Sequence, residues 1–239
     1  LRWKKIFYKH KNKTRVKMKV SKKLIKPFPA ISIDNFIPSA AMVRSASKSF
    51  DKFKNEDWVI YKKDNGQVQY TSKIPRCSTP ECLLLLDYIA TSLDPCDYFD
   101  TDNLKVFPDC SHYGGGMMLT PNAENQGGYL GMHVDAPVHG KNKNWKREFS
   151  AVLCLSEEYD ESFDLLVHNG FDCHDRLEYR FNRLNIFKCT ENSWHGFPKI
   201  SKGMNRKVLG LMFWSEINHK DKSSIKRIKA KFNNNLKFN

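Results

Sequence analysis

The chain has 239 residues and a mass of 27.9 kDa, with 40% hydrophobic and 28% charged residues, enough to bury one sizeable core or two small ones. This excludes a disulfide miniprotein, a collagen-like chain and a fully disordered one, and the longest apolar run, Cys82 to Leu86, is far too short to span a bilayer. The net charge of +14 sits at the ends: residues 1–26 hold 12 Lys/Arg and no acid, residues 218–239 hold seven and one acid, and residues 27–217 hold 21 basic against 25 acidic residues. The ends therefore read as solvated basic tails, 1–26 and 218–239, around one domain over 27–217. Such tails suit tethering to an acidic partner: nucleic acid, an anionic membrane or an acidic protein.

In chain order, Phe28 to Ile33 reads as a strand and Ser39 to Phe53 as a helix whose Met42, Val43, Ala46, Phe50 and Phe53 share one face. Trp58–Tyr61 and Val68–Thr71 read as a hairpin around Asp64-Asn65-Gly66. Thr79 caps a second helix with Pro80 at its first position and Glu81 in its first turn, running to about Leu93 before Pro95. From Cys110 onward the pattern is strand after strand: Tyr129–Val134, Phe149–Leu155, Phe163–His168, Leu177–Phe181, Leu184–Lys188 and Val208–Trp214. Short strands at intervals of about ten residues mean a sandwich or closed barrel. The polar, Gly-rich stretch Gly114 to Gly128 suits a connector or a lid, and Lys141, Lys143, Trp145 and Lys146 in the loop His139–Arg147 suit a solvated loop or an anionic substrate. The seven cysteines are irregularly spaced with no C-x-x-C, which suits reduced thiols and an intracellular, cytoplasmic protein; the Lys/Arg-studded first 25 residues contain no signal-peptide core.

The chemistry concentrates at His133 and Asp135. Two apart on a strand, they face the same side and can converge on one ion. His195, in Ser193-Trp194-His195-Gly196-Phe197-Pro198, supplies a second imidazole, and Arg206 opens a later apolar strand. One carboxylate and two histidines with open positions form the facial triad of non-haem Fe(II) oxygenases; a zinc site of three ligands is chemically possible. Arg206 argues against zinc, because a guanidinium at the start of an interior strand suits a dicarboxylate, which its planar fork binds at two points.

These motifs, in this order, resemble the Fe(II)/2-oxoglutarate-dependent oxygenase superfamily, and within it the prolyl-4-hydroxylase-like branch. The similarity lies in Pro27-Phe28-Pro29 with Ile33 to Pro38, in Gly127 to Asp135, in Arg147 to Ser156, in Phe181 to Phe187 with Ser193 to Pro198, and in Asn205-Arg206-Lys207, covering about residues 27–216. The resemblance implies a mostly β double-stranded β-helix (a cupin-like jelly roll) with N-terminal helices, its helical and hairpin support over 27–112 and its core over 113–217. It implies iron held by His133, Asp135 and His195, with Arg206 on the far carboxylate of 2-oxoglutarate. It implies O2 as the oxidant, succinate and carbon dioxide as products, and ascorbate as reductant. Because the carboxylate ligand is retained, hydroxylation is expected rather than halogenation.

The sequence departs from the branch at three places. Glu161-Ser162-Phe163-Asp164-Leu165 stands where a Gly-Gly-x-Leu turn is usual, Cys154 where a tyrosine is frequent, and Gly210 where a small hydroxylated residue is frequent. Tyr113 and Tyr129 are the candidate helpers of Arg206. Trp58, Tyr61, Trp145 and Arg147 are candidate substrate contacts. The expected substrate is a peptidyl proline or a similar protein side chain; the alternatives are a sugar, nucleotide or nucleic acid, or a non-enzymatic barrel that binds without turnover.

Overall fold

The computed structural model describes residues 18–62, 68–72, 79–101, 103–121, 128–169, 172–218 and 221–234. The turn Asp64-Asn65-Gly66, Cys77 and residues 122–127 of the Gly-rich stretch lie outside them.

The strands, in chain order, are β1 (Lys22–Leu24), β2 (Ala30–Ile33), β3 (Trp58–Lys62), β4 (Val68–Ser72), β5 (Phe107–Pro108), β6 (Gly116–Thr120), β7 (Leu130–His133), β8 (Trp145–Cys154), β9 (Leu165–Asn169), β10 (Asp172–Leu177), β11 (Leu184–Lys188), β12 (His195–Phe197) and β13 (Arg206–Glu216). They form two antiparallel sheets. The larger runs β1-β2-β11-β8-β13-β6-β4-β3, with β5 on β13, and the smaller runs β10-β9-β12-β7. Together they make the double-stranded β-helix.

Two helices cover the outer face of the larger sheet. Helix α1 (Ala40–Ser49) is capped by Ser39, whose hydroxyl accepts from the Met42 N–H at 3.4 Å. Helix α2 (Pro80–Ser92) starts where the Thr79-Pro80-Glu81 signal puts it, and Thr79 Oγ1 accepts from the Cys82 N–H at 3.3 Å.

Side-chain alternation decides what goes where. On β8, Phe149, Ala151 and Leu153 turn toward the helices, as do Leu209, Leu211 and Phe213 on β13, and they share one core with Val43, Leu85, Leu86 and Ile89. The intervening residues turn inward: Cys154 and Val208 join Phe163, Val167, Tyr179 and Phe197 in a second core between the sheets. Arg206 lies in phase with Val208, and Ser150 in phase with Cys154.

Both ends differ from the expected tails. Residues 22–24 form β1 on the sheet edge with Leu24 buried, and residues 221–234 form a third helix, α3 (Asp221–Asn234), with Ile225 and Ile228 buried. Two isoleucines three apart give an otherwise basic segment an apolar stripe. The expected strand Leu177–Phe181 is also displaced: β10 ends at Leu177, and residues 178–182 turn, with Asn182 at φ +60° bonding the N–H and carbonyl of Ile37 through its side chain. The six cysteines outside position 77 are free. Among the described residues, no helix is long and apolar enough to cross a membrane.

Candidate metal centre

Strand pairing builds the centre. β7 and β12 are antiparallel neighbours with His133 opposite His195, which sets the two rings 4.3 Å apart between centroids. Asp135 lies two residues past the end of β7, and its Oδ1 is 3.8 Å from His133 Nε2. One ligand atom from each of the three residues falls within 4.8 Å of the others, the grouping of His, Cys, Asp and Glu that could hold a metal among the described residues.

Backbone carbonyls fix the tautomers. His133 Nδ1 is 3.0 Å from the Gly131 carbonyl and His195 Nδ1 is 2.8 Å from the Ser193 carbonyl. A carbonyl only accepts, so each Nδ1 carries the proton and Nε2 is the ligating nitrogen of each ring. Burial pushes the His195 pKa down, keeping the ring neutral. For Asp135, burial pushes the pKa up, but the Arg147 guanidinium, the adjacent imidazoles of His195 and His133 and the Ser150 hydrogen bond outweigh it, and the carboxyl ends far below its ordinary range. Ser150 Oγ donates to Asp135 Oδ2 at 2.7 Å, and Arg147 Nη1 meets Oδ1 at 3.0 Å. Two neutral imidazoles and a carboxylate held ionised match a hard divalent cation with open positions.

Arg206 is buried, with 5% exposure. Its Nε donates to the Phe163 carbonyl at 2.9 Å, and its guanidinium carbon lies 4.4 Å from the Phe197 ring centroid and 5.4 Å from that of Tyr179. Among the described residues no carboxylate is in ion-pair range of it. A buried cation with spare donors is an anion receptor.

The remaining predicted residues scatter. Tyr113 is at the other end of the sheet from Arg206: Arg206 pairs with Thr120, whereas Tyr113 bonds Asp109, whose N–H meets Met212, and its ring packs on His139 at 4.4 Å. Tyr129 is half-buried at the start of the metal strand; the neighbouring Gly128 sits against Pro121 and Thr120 so tightly that a Cβ would come within 2.3 Å of the Pro121 carbonyl. Trp58 is a buried residue packed between Phe50, Phe53 and Tyr70. Tyr61 lies in β3 opposite Gln69. Trp145 stacks on Phe107 at 4.8 Å and His139 at 5.2 Å, away from the ligands. Arg147, by contrast, is at the centre, on Asp135 and over Trp214 at 5.1 Å, with one amino group in the space that a Cβ on Gly114 would fill. Gly114 to Thr120 is thus wall rather than lid. Gly210 stands where a hydroxylated residue was expected; it is Gly115 beside it that must be glycine, since a Cβ there would lie 2.3 Å from the Gly210 carbonyl, whereas a Cβ on Gly210 would first meet the flexible end of Met118 at 2.5 Å.

Sequence reasoning missed Ser150 and Tyr179. The two-residue period of β8 gave a signal for Ser150, which shares the Cys154 face. Tyr179 lay hidden in the displaced strand; its hydroxyl accepts from the N–H groups of Leu155 and Ser156 and donates to the Lys207 carbonyl at 2.6 Å, tying β13 to β8 beside Arg206.

Residues 117–216 match the family model of the 2OG-Fe(II) oxygenase superfamily. The matched residues hold the triad and Arg206, so over this span the chain is similar to the 2OG-Fe(II) oxygenase superfamily in sequence as well as in the make-up of its site. A search of the curated proteins found no match. Solved structures of similar fold include a prolyl hydroxylase from Trichoplax adhaerens in complex with a hypoxia inducible factor oxygen degradation domain peptide (TM-score 0.57, 14% identity, covering 78% of this chain and 83% of that one). They also include a Pseudomonas putida prolyl-4-hydroxylase (0.51, 15%, 80% and 94%) and the alpha-ketoglutarate-dependent epimerase SnoN from nogalamycin biosynthesis (0.51, 8%, 78% and 78%).

Proposed function

We propose that the protein hydroxylates a protein side chain, a peptidyl proline first, using Fe(II), 2-oxoglutarate and O2 with ascorbate as reductant. The observation that carries the reaction class is the pairing of a His-Asp-His cluster on one sheet with a buried Arg206 on the other that has no ion pair among the described residues. His133, Asp135 and His195 would hold the iron, and Arg206 would take the far carboxylate of 2-oxoglutarate. When bound, iron and 2-oxoglutarate supply the oxygen-activating chemistry, with succinate and carbon dioxide leaving.

The chain's own residues do the placing. The carbonyls of Gly131 and Ser193 aim both imidazoles, and Ser150 holds Asp135 Oδ2 so that Oδ1 stays beside His133. Arg147 offsets the carboxylate's charge, and its Nε, buried without a partner, is the donor we assign to a carbonyl of the substrate. The peptide in the Trichoplax structure supports a polypeptide substrate.

The test is mass spectrometry of proline-bearing peptides incubated with protein, Fe(II), 2-oxoglutarate and ascorbate. A gain of one oxygen matched by succinate supports the proposal. Succinate formed in step with oxidation of a sugar or oligonucleotide, but of no peptide, assigns the substrate elsewhere.

A further inference from the structure

Outside the metal centre, a groove of about 520 Å³ runs between α3 and the segment that follows Asp135. Its apolar lining is Val138, Ile217 and Ile225, and its charged lining is Lys143, Lys222, Lys226 and Lys229. On α3, Lys222, Ile225, Lys226 and Lys229 recur at helical spacing, so they form one face. The face is held firmly. Asp221 at the helix start binds Lys146 Nζ at 3.0 Å and accepts from the Asn218 N–H at 2.9 Å, Arg227 is paired with Glu191, and the Ile217 N–H donates to the Asn144 carbonyl at 2.7 Å. The acids nearby are thus engaged elsewhere. No acidic residue lines the groove, and among the described residues none of its four lysines is in an ion pair.

Four like charges around an aliphatic floor call for an occupant that carries both carboxylates and aliphatic side chains. Nucleic-acid surfaces present guanidinium forks and aromatic platforms; this groove lines itself with neither, and a sugar-phosphate backbone leaves its floor uncovered. An acidic peptide with Leu, Ile or Val satisfies wall and floor together. Val138 is three residues beyond Asp135, so chain geometry puts their Cα atoms no more than about 11 Å apart. A polypeptide lying in the groove can therefore reach the metal centre within a few residues.

We propose that this groove docks an acidic, aliphatic-bearing segment of the polypeptide substrate, a few residues from the side chain to be oxidised. The inference rests on the polypeptide-substrate reading, and its test is a binding measurement that uses no turnover. The probe is a fluorescein-labelled peptide of about twelve residues, alternating Asp or Glu with Leu or Ile and lacking proline, titrated with the whole chain and followed by anisotropy. The groove variants are the combined Lys143→Glu, Lys222→Glu, Lys226→Glu and Lys229→Glu, and the same four positions changed to Gln. A control places Glu at the exposed Lys19, Lys23, Lys26 and Lys48, altering net charge equally outside the groove.

Both groove variants should weaken binding by about tenfold to a hundredfold, with the Glu set the weaker, while the control changes it by less than about threefold. A peptide of acids alone should bind about tenfold more weakly than the mixed one. Equal losses in groove and control variants, or no loss in either groove variant, would overturn the proposal, since binding would then follow net charge or another surface. So would a single-stranded oligonucleotide or an anionic vesicle that binds the groove as tightly as the peptide. If the peptide docks but no peptide ever gains oxygen, the docking surface stands and the substrate reading falls.

Discussion

Replacing Arg206 by Met separates an anion receptor from a structural arginine, because the two predict opposite changes in stability. Arg206 is 5% exposed, with one hydrogen bond to Phe163 and two aromatic faces against its guanidinium. Burial pushes its pKa down, which means that the charged form is held there at a cost. That cost is several kcal/mol for a buried ion. Met gives it back and forfeits about 2 kcal/mol for the charged hydrogen bond and about 1–2 kcal/mol for the ring contacts. The variant should therefore be more stable by about 1 kcal/mol or more, a rise in Tm of about 2–4 °C. Its hold on 2-oxoglutarate should fall by about 2–5 kcal/mol, roughly 30-fold to 4,000-fold. The assay is chemical denaturation with Fe(II) under anaerobic conditions, with and without 2-oxoglutarate at about 100 times the wild-type Kd. Wild type should gain about 2.7 kcal/mol from the ligand, and the variant less than about 1 kcal/mol. A Met variant that is destabilised without ligand, or that keeps the full ligand-induced gain, refutes the reasoning.

Three further outcomes follow from the same geometry. Asp135→Ala should abolish iron binding, measured by metal content, and should cost about 3 kcal/mol because Arg147 is left buried without its carboxylate; adding Arg147→Met should restore most of the stability and none of the metal. Ser150→Ala should leave the fold within about 1 kcal/mol of wild type but weaken metal affinity about tenfold to a hundredfold, since Asp135 Oδ2 loses the donor that orients it. Asp34, half-exposed, is held below its usual pKa of 3.8 first by its hydrogen bond from the buried Arg183, against the raising effect of burial. Its contribution is present above about 3.8 and lost as pH falls through the lower folded-state value. Asp34→Asn should therefore cost about 1–2 kcal/mol at pH 7, and the gap to wild type should close in denaturation curves taken below that range.

What could be read from the sequence was whatever depends on local rules. The Thr79-Pro80 helix start and the strand Leu184–Lys188 appear at the expected positions, because caps and β-branched runs act within a few residues. The three candidate ligands come together because a two-residue strand period and one antiparallel pairing suffice to bring them there. The Asp135–Arg147 pair was illegible: it depends on how β8 registers against β13, where Arg147 stands opposite Trp214, and on Gly114 leaving room for the guanidinium. The burial of Trp58 was illegible for a similar reason, since only the packing of Phe50 and Phe53 on the hairpin shows that it is covered. The C-terminal segment was hidden by its charge. Its two isoleucines bury only because Asp221 and Arg227 pin the helix to Lys146 and Glu191, partners distant in sequence.

The interior between the sheets shows what the site costs the fold. A barrel stabilised for its own sake would fill its inward positions with aliphatic residues. Here they include Ser32 and Asn185, bonded to each other at 2.6 Å, together with Ser150, His195, Arg147 and Arg206, all buried. The helix-facing side of the same strands is apolar almost without exception. Alternation thus divides the work: on β8 and β13 Phe149, Ala151, Leu153, Leu209, Leu211 and Phe213 supply the hydrophobic stabilisation, and Ser150 and Arg206 on the other face are polar groups that the fold alone does not need. Such groups lower stability unless a ligand uses them. Arg147 has Asp135 as its partner, whereas among the described residues no carboxylate is in ion-pair range of Arg206. Iron would bring two positive charges to the triad and 2-oxoglutarate two negative ones, so binding of either should strengthen binding of the other.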